Sequence, residues 1–411
     1  MSESKSGGGV TGWIDARFPM TETLRYHLTE YYAPKNFNFW YYFGSLAMLV
    51  LVIQIVSGIF LTMNYQPSAE RAFASVEFIM RDVEWGWLMR YLHTTGASAF
   101  FIVVYLHMFR ALLYGSYQKP RELLWIIGML IYVVLMAEAF FGYGLPWGQM
   151  SYWGAQVIIG LFGAVPVVGD ALVVWIQEDY VVSEATLGRL FALHVAGLPL
   201  VLVALVFLHI VALHHVGSNN PDGIEIKQNK GPDGKPKDGI PFHPYYTVKD
   251  LFGAGVFLIL FAVVVFYAPE FFGLFIERPN FQEANPLQTP ESIHPVWYFT
   301  PHYAILQSIP HTLSGVVAMF GAVLILFFLP WIDRGKVRSF RYRGLGFRIA
   351  LIVFAITFVV LGYLGTQEPA GMTVLMGRVF TILYFGFFVF LWAYTYFGFE
   401  KTKPLPERVT E

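Results

Sequence analysis

The sequence contains no cysteine among its 411 residues, and only 13% of its residues are charged. The lack of cysteine excludes disulfides, thiolate-bound iron–sulfur or zinc sites, and covalent attachment of a cofactor through thioethers. Soluble domains usually have about a quarter charged residues, so the composition excludes an ordinary soluble globular protein. Because 27 Lys and Arg nearly balance 28 Asp and Glu, the basic surplus typical of nucleic-acid-binding proteins is also missing.

Hydrophobic residues make up 56% of the chain, and many of them are gathered in long runs. No cleavable signal peptide is visible in residues 1–36, which lack an apolar core region. An apolar stretch from Ala155 to Ile176 is interrupted by glycine and proline, which predicts two short helices lying along the surface. The other runs predict an all-α integral membrane protein with eight transmembrane helices, each crossing a hydrocarbon core of about 30 Å. They lie near residues 43–63, 92–114, 123–145, 190–213, 251–268, 306–331, 349–364 and 379–399.

The distribution of Lys and Arg predicts how these spans are oriented. Eight spans place both termini on the same side of the membrane, and the segments on that side carry 20 of the Lys and Arg residues. The opposite loops hold only Arg71, Arg81 and Arg278, with Arg378 at a helix start. The positive-inside rule therefore predicts that both termini are cytoplasmic.

Four histidines lie at matching heights on two of the spans. His93 and His107 are 14 residues apart on the second span, and His194 and His209 are 15 apart on the fourth. Either spacing returns roughly to the same helix face after a rise of about 21–22 Å. Both spans run from outside to cytoplasm, which pairs His93 with His194 near the outer face and His107 with His209 near the inner face. Such buried imidazole pairs suit the iron of two six-coordinate, non-covalently bound b-type haems.

Arginines and a helix distortion agree with this arrangement. Arg90, Arg110 and Arg189 lie near the predicted haem heights, where cations would pair with the haem propionates. Gly197 and Pro199 interrupt the fourth span, and the hydrogen bond lost at the proline allows a local distortion to absorb the extra residue. The alternative for the arginines is that they are ordinary span-end residues whose charged heads reach the membrane surface.

Glycines on two other spans repeat the histidine spacing. Gly44 and Gly58 on the first span are 14 residues apart, as are Gly128 and Gly142 on the third. Missing side chains at these heights would let a porphyrin plane lie against the backbone. The alternatives are helix–helix packing for the glycines, and polar contacts or proton relay for the histidines.

Five short motifs carry a resemblance to a known family. They are FASVE at 73–77, GYGLPWGQMS at 142–151, GSNNP at 217–221, EANPL at 283–287 and PVWY at 295–298. Over roughly residues 12–400, the chain resembles the cytochrome b family, the haem-bearing subunits of the bacterial quinol–cytochrome c oxidoreductase (complex III). By this resemblance, His93 and His194 hold the low-potential haem, and His107 and His209 hold the high-potential haem.

The resemblance implies two quinone sites. Quinol would be oxidised on the periplasmic side, and one electron would pass through both haems to reduce quinone on the cytoplasmic side, generating proton-motive force. Histidine beside a carboxylate suits proton delivery to quinone, although His214 could also serve only a helix C-terminus. The outer site is implied to be lined by Tyr143, Gly154, Pro295 and Tyr298, and the inner site by His214, Asp250, Lys249 and Ser218.

The chain departs from the family in its Pro-Val-Trp-Tyr motif. The usual family motif has glutamate where this chain has Val296, and that glutamate is thought to take a proton from quinol. Valine cannot accept a proton, so a carboxylate elsewhere or water must do so. Among Glu277, Glu283 and Glu291 of the same loop, we predict Glu277; a solvated surface carboxylate is the alternative. The 15-residue spacing resembles chloroplast-type relatives, but eight spans and no cysteine exclude that subclass.

The resemblance also predicts the domain organisation and the partners. Residues 1–36 form a cytoplasmic N-terminal segment, 37–216 a di-haem four-helix bundle, 217–249 a cytoplasmic loop, and 250–411 a four-helix half with the quinol-site loop. Expected partners are a Rieske-type iron–sulfur protein, a c-type cytochrome subunit and a second copy of the complex in a bacterial inner membrane. Competing functions are a di-haem, quinone-reactive membrane anchor of a dehydrogenase or hydrogenase, and a cofactor-free proton-coupled transporter.

Overall fold

The computed structural model describes residues 9–410, which fold almost entirely into helices. The exception is a two-stranded antiparallel sheet that pairs β1 (Tyr32–Pro34) with β2 (Gly239–Pro241). The predicted all-α class is thus confirmed for the apolar segments. In chain order, the described residues form α1 (Val10–Asp15), α2 (Met20–Leu24), α3 (Tyr42–Thr62), α4 (Ala72–Arg81), α5 (Gly86–Tyr114), α6 (Glu122–Gly144), α7 (Gln149–Gly160), α8 (Gly169–Gln177), α9 (Glu184–Ala192), α10 (Leu198–Val216), α11 (Thr247–Tyr267), α12 (Thr300–Ser308), α13 (Thr312–Phe327), α14 (Leu329–Ile332), α15 (Leu345–Leu364) and α16 (Met372–Tyr396).

Seven helical segments are long and apolar enough to cross a membrane. Their outward side chains are exposed in the isolated chain, for example Leu200 on α10 and Ile259 on α11, as expected for helices that face lipid. They are Phe39–Thr62, Gly86–Tyr114, Glu122–Gly144, Glu184–Val216, Phe242–Tyr267, Leu345–Leu364 and Met372–Tyr396.

The predicted sixth span, residues 306–331, is not a single helix. α12 ends at Ser308, and the shorter apolar helix α13 starts at Thr312. Ile309 between them is extended, with φ −107° and ψ 120°. The residue before a proline is disfavoured in the helical region, so Pro310 explains the break.

The apolar stretch from Ala155 to Ile176 forms two short helices, as predicted. α7 continues into a single 3-10 turn, and α8 begins at Gly169. Between them, Val165 is extended and precedes Pro166. The same proline rule therefore ends the first helix and separates it from the second.

A π-helical turn, Leu193–Gly197, joins α9 to α10 without a loop. A π-turn bonds residue i to i+5 and so accommodates one residue more than an α-helical turn. This turn contains His194 and precedes Pro199, at the place where the sequence predicted a distortion. The 15-residue spacing on this helix can thereby match the 14-residue spacing on α5.

The N-terminal segment, the loop after α10 and the C-terminal tail meet at one end of the molecule. Lys35 lies 3.7 Å from Asp238, and Arg408 lies 2.8 Å from the same carboxylate. Thr410 donates a 2.7 Å hydrogen bond to Asp222. Because both aspartates are almost fully buried, these contacts fasten the three segments together.

The loop after α14 is held at this same end by a buried arginine. The Arg343 guanidinium contacts both oxygens of Asp333, at 2.7 and 3.1 Å, and lies 2.6 Å from Glu400. Tyr117 also donates a 2.6 Å hydrogen bond to Asp333. Arg343 and Asp333 side chains are fully buried, a situation in which a charge is tolerated only when it is paired.

The opposite end carries the turn after α6 and the segment between α11 and α12. Gly148 and Glu283 form an isolated antiparallel bridge. Ser151 donates two hydrogen bonds to the Asn280 side-chain oxygen, from its backbone N–H at 2.9 Å and its hydroxyl at 3.0 Å. The helices that carry the paired histidines connect the two ends, with α3 packed on α5 and α6 packed on α10.

Candidate functional site

The four predicted histidines form two pairs between α5 and α10. The ring centroids of His93 and His194 are 6.0 Å apart, with perpendicular planes. Those of His107 and His209 are 6.4 Å apart, with planes at 64°. The structure therefore brings together the partners that the sequence predicted, and it does so at two heights.

The spacing within each pair fits an iron ion between two imidazoles. Two metal–nitrogen bonds of about 2 Å each, added to the two ring radii, place the centroids about 6 Å apart. A direct N–H···N hydrogen bond would need the ring nitrogens within about 3.2 Å of each other, which rings at this separation do not allow. The pairs thus suit a metal between them better than a direct proton relay.

Each imidazole faces one of the four predicted glycines. A Cβ added at Gly44, Gly58 or Gly128 would lie 3.2–3.3 Å from Cε1 of His107, His93 or His209. At Gly142, it would lie 2.9 Å from Nδ1 of His194 and 3.0 Å from Nε2. The glycines make room for the imidazole rings, and contact with a porphyrin plane stays a prediction.

Hydrogen bonding differs between the two pairs. At the first height, His93 Nδ1 lies 3.0 Å from the Ser57 hydroxyl, and His194 Nδ1 lies 3.0 Å from a Glu138 carboxylate oxygen. At the second height, the Nδ1 atoms of His107 and His209 are buried and have no hydrogen-bond partner among the described residues. Neighbours of this kind orient a ligating imidazole and tune its basicity.

Two of the three predicted arginines lie free of carboxylates near the pairs. Within the described residues, the buried Arg110 Nε has no hydrogen-bond partner, and its guanidinium lies 4.7 Å from the Tyr41 ring centre. Arg90 is partly buried one turn before His93. Arg189 differs from the expectation, because it lies 2.8 Å from Glu178 and so already has an anionic partner.

A second cluster forms at the end of the molecule that carries the segment between α11 and α12. Tyr143 donates a hydrogen bond to the Glu277 carboxylate. The other carboxylate oxygen of Glu277 lies 3.2 Å from His294 Nδ1. Glu277 is 6% exposed, so it is a buried carboxylate with two polar partners and not a solvated surface residue.

The surroundings make this pair hold protons more tightly than free side chains do. Burial raises the pKa of Glu277 above its ordinary value, and the hydrogen bond from His294 opposes only part of that rise. The hydrogen bond to Glu277 in turn raises the pKa of His294, against the effect of burial. Glu277 and His294 therefore form a buried acid–base pair beside Tyr143.

The other residues predicted for the outer site surround this cluster. Gly154 lies opposite Tyr143, because a Cβ there would be 3.9 Å from the Tyr143 ring. His294 lies 3.3 Å from the Pro295 carbonyl oxygen, and Val296 is buried. Tyr298 is also buried, with its ring stacked on Phe101 at 3.9 Å.

His214 lies in a third cluster, at the end where the termini meet. Its Nδ1 lies 2.9 Å from His27 Nδ1, and its ring stacks on Tyr31 at 4.4 Å. The Tyr31 hydroxyl is 2.9 Å from the Ser218 hydroxyl. Lys227 donates to the carbonyl oxygens of His214 and of the next residue, so a lysine caps this helix C-terminus and the His214 ring is available for other contacts.

Lys249 and Asp250 lie at the same end but contact other residues. The Lys249 ammonium lies 3.4 Å from the Phe37 carbonyl oxygen and near the Tyr246 ring. The Asp250 carboxylate faces the Ser45 hydroxyl. In the described residues, neither Lys249 nor Asp250 makes a hydrogen bond or an ion pair with His214 or Ser218, so the four predicted inner-site residues fall into two neighbouring groups.

Four contacting residues were not among the predicted site residues. Glu138 could have been found as a carboxylate inside an apolar run, and His294 as the neighbour of a motif proline. His27 and Tyr31 lie in a mixed polar segment without periodicity, and no sequence signal pointed to them. Their role became visible only when the fold placed that segment beside the end of α10.

Comparisons with known proteins agree along the whole chain. A family model described as "Cytochrome b/b6/petB" matches residues 28–217, and a second, "Cytochrome b(C-terminal)/b6/petD", matches residues 283–385. The chain is 62% identical over 406 residues to "Cytochrome b" of Allochromatium vinosum, and the match covers 97% of both chains.

Two further similarities concern larger assemblies. "Cytochrome b/c1" of Bradyrhizobium diazoefficiens is 45% identical over 399 residues, which cover 97% of this chain and 56% of that protein. A solved chain from a "Hyperthermophilic respiratory Complex III" superimposes with a TM-score of 0.88 and 39% identity. That superposition covers 94% of this chain and 99% of the solved one.

Proposed function

This chain belongs to the cytochrome b family, the subunits of the quinol–cytochrome c oxidoreductase (complex III), and we propose that it links two quinone sites through two bis-histidine b haems. Family membership makes it a multi-pass inner-membrane protein that binds haem b and works in electron transport within a multi-subunit complex. Each haem would be held by one histidine pair, and each quinone would bind at one of the two polar clusters.

The observation that carries the proposal is the separation of the two imidazole pairs. His93 with His194, and His107 with His209, stand 6.0 and 6.4 Å apart between the same two helices. This gap fits an axially ligated iron, and glycines leave space behind all four rings. Bound there, each haem would take up and release one electron.

Buried cations would hold the propionates of these haems. Arg90 lies one turn from His93, and Arg110 lies one turn beyond His107 with an unpartnered buried Nε among the described residues. Arginine can pair a carboxylate bidentately. Since Glu178 already neutralises Arg189, we assign the propionate role to Arg90 and Arg110 before Arg189.

Glu277 is the group we assign to receive a proton from quinol. Oxidising a quinol releases two electrons and two protons, and a buried carboxylate can accept one proton at the reacting hydroxyl. Glu277 supplies this carboxylate where the motif residue Val296 cannot. Its contacts with Tyr143 and His294 orient it, and His294 offers the next acceptor for the proton.

The third cluster is assigned to quinone reduction. His214 stacks on Tyr31 and lies beside Ser218 and His27, a set of groups that can donate to a quinone carbonyl. Asp250 and Lys249 lie at the same end, close to α3. Reduced quinone needs protons from that side of the membrane, and histidine titrates near the relevant pH.

The two clusters would lie on opposite sides of the membrane. The tail and N-terminal contacts at Asp222 and Asp238 place both termini at one end, which requires an even number of crossings. α12 and α13 carry the chain between the ends, so they would form the eighth crossing despite the break at Pro310. Loop charge predicts that the end with the termini is cytoplasmic.

Electron flow from the outer to the inner haem works against a membrane potential. Moving one charge across 100 mV costs about 2.3 kcal/mol, so the inner haem must be the better electron acceptor. The other electron from quinol must leave to a separate high-potential partner. Because the chain has no cysteine, the Rieske-type iron–sulfur and c-type cytochrome centres have to lie on other chains; activity from this chain alone would refute that dependence.

Haem stoichiometry and redox titration of the purified complex test the proposal. We expect two low-spin b haems per chain, with two separable midpoint potentials. His194→Leu should remove only the first, and His209→Leu only the second. His302→Leu serves as a matched control, because His302 is a buried histidine outside the pairs. Absence of iron, or loss of both haems in the control, would contradict the assignment.

A further inference from the structure

Glu138 is a carboxylate placed well inside an apolar helix. It lies in α6, one turn before Gly142, between Ala137 and Ala139. Carboxylates in membrane-spanning helices are expensive and usually have a specific partner. Neither the haem ligation nor the two quinone sites give Glu138 a function.

The partner of Glu138 is a haem-ligand histidine. Oε1 of Glu138 lies 3.0 Å from His194 Nδ1, and both side chains are mostly buried, at 16% and 15% exposure. The other oxygen, Oε2, is buried and has no hydrogen-bond partner among the described residues. The backbone carbonyl of Glu138 also lies 3.0 Å from His194 Nδ1, so the carboxylate adds to a bond that the backbone already offers.

The other three imidazoles have no such anionic neighbour in the described part of the chain. His93 Nδ1 lies beside the neutral Ser57 hydroxyl, and the Nδ1 atoms of His107 and His209 are unpartnered there. The negative charge is therefore placed at one of the two imidazole pairs only. This asymmetry distinguishes the two proposed haems electrostatically.

We infer that Glu138 is a positioning residue that lowers the midpoint potential of the haem held by His93 and His194. A carboxylate that accepts the Nδ1–H bond fixes the imidazole tautomer and makes the ligand more basic. Its negative charge also stabilises oxidised iron more than reduced iron, an effect that the low dielectric of the interior strengthens. Both contributions disfavour reduction.

This inference rests on the proposed function and adds a cause for the order of the haems. The haem beside His194 lies near the quinol-oxidising end, and electrons must leave it for the other haem. A lower potential at this haem favours that direction. The structure thus assigns to one side chain a share of the potential difference that drives the transfer.

Redox titration of both haems in Glu138→Gln, within the intact complex in membranes, tests the inference. Glutamine keeps the shape and the backbone carbonyl but removes the charge. At a fixed ambient potential, the reduced-to-oxidised ratio of the His93/His194 haem should rise at least tenfold, which equals 59 mV for a one-electron couple. The His107/His209 haem should not change and is the internal reference.

Glu77→Gln is the matched control. Glu77 is a more exposed carboxylate on α4, paired with Arg81, and its substitution should leave both potentials unchanged. An unchanged His93/His194 potential in Glu138→Gln, or equal shifts of both haems, would overturn the inference. If Glu138→Gln loses haem, Glu138→Asp replaces it: the charge is kept, and a retained low potential supports the inference while a tenfold shift overturns it. A wild-type complex without two b haems would instead refute the proposed function.

Discussion

Replacing Gly142 with alanine should displace His194 and weaken retention of one haem, more than any matching change at the other three glycines. A Cβ at Gly142 would lie 2.9 Å from His194 Nδ1 and 3.0 Å from Nε2, and closer still to Cε1. Carbon contacts are comfortable from about 3.5 Å, so the ring must move by about 1 Å. Such overpacking costs about 1–3 kcal/mol, which corresponds to roughly five- to hundredfold weaker retention of the haem.

The other glycines provide a graded comparison. A Cβ at Gly58 or Gly128 would lie 3.2 Å from its imidazole, and at Gly44 it would lie 3.3 Å away, so a shift of a few tenths of an ångström suffices. Gly386→Ala on α16 is the control, because nothing lies within 4 Å of the added Cβ. Alanine is also the better helix former by about 1 kcal/mol, so losses cannot come from helix propensity.

Dithionite-reduced minus oxidised spectra, with a haem-to-protein ratio, measure the result. We expect Gly142→Ala to lose or shift the His93/His194 haem while the His107/His209 haem stays bound. Gly386→Ala should match the unmodified complex. Full occupancy and an unchanged midpoint potential in Gly142→Ala would show that the close packing of glycine on imidazole does not position the ligand.

Three further changes test the remaining assignments. Glu277→Gln should slow quinol oxidation by roughly a hundredfold, well before quinone reduction is affected. Because burial raises the pKa of Glu277, the rate should rise with pH through a value above the ordinary one of about 4.3; the variant should lose this dependence in steady-state assays, and unchanged turnover would remove Glu277 from the mechanism. Arg343→Met leaves the buried Asp333 unpaired and should cost about 3–5 kcal/mol, seen as a lower midpoint of thermal inactivation; an unchanged midpoint would show that the pair is not needed. His27→Ala removes the hydrogen-bond partner of His214 and should slow haem reduction by quinol from the inner site without changing quinol oxidation at the outer one; equal slowing at both would contradict the assignment.

Periodic and hydrophobic features of this molecule could be predicted from the sequence. The long apolar runs predicted seven of the observed spans, and the histidine spacing predicted both ring pairs, because helix geometry converts spacing directly into height and face. The sixth span was wrong as a single helix. Its hydrophobicity continues through Pro310, and composition averaged over a window does not register the backbone constraint on Ile309.

Contacts between distant segments could not be predicted in the same way. Glu277 was one of three candidate carboxylates, and only the fold shows that it is buried against Tyr143 and His294. His27 is 187 residues from His214 along the chain, and nothing local indicates that they meet. No local pattern indicated that Arg189 is paired with Glu178.

The π-helical turn at Leu193–Gly197 has a consequence for how members of this family are aligned. Counting residues between two ligands measures chain length, whereas coordination depends on height along the helix axis, and the wide turn separates these two quantities. A relative with one residue fewer between its ligands can therefore superimpose on this chain if its helix is regular at that place. A count of 14 or 15 is then no marker of a family branch, and a gap in an alignment belongs inside the turn that contains His194.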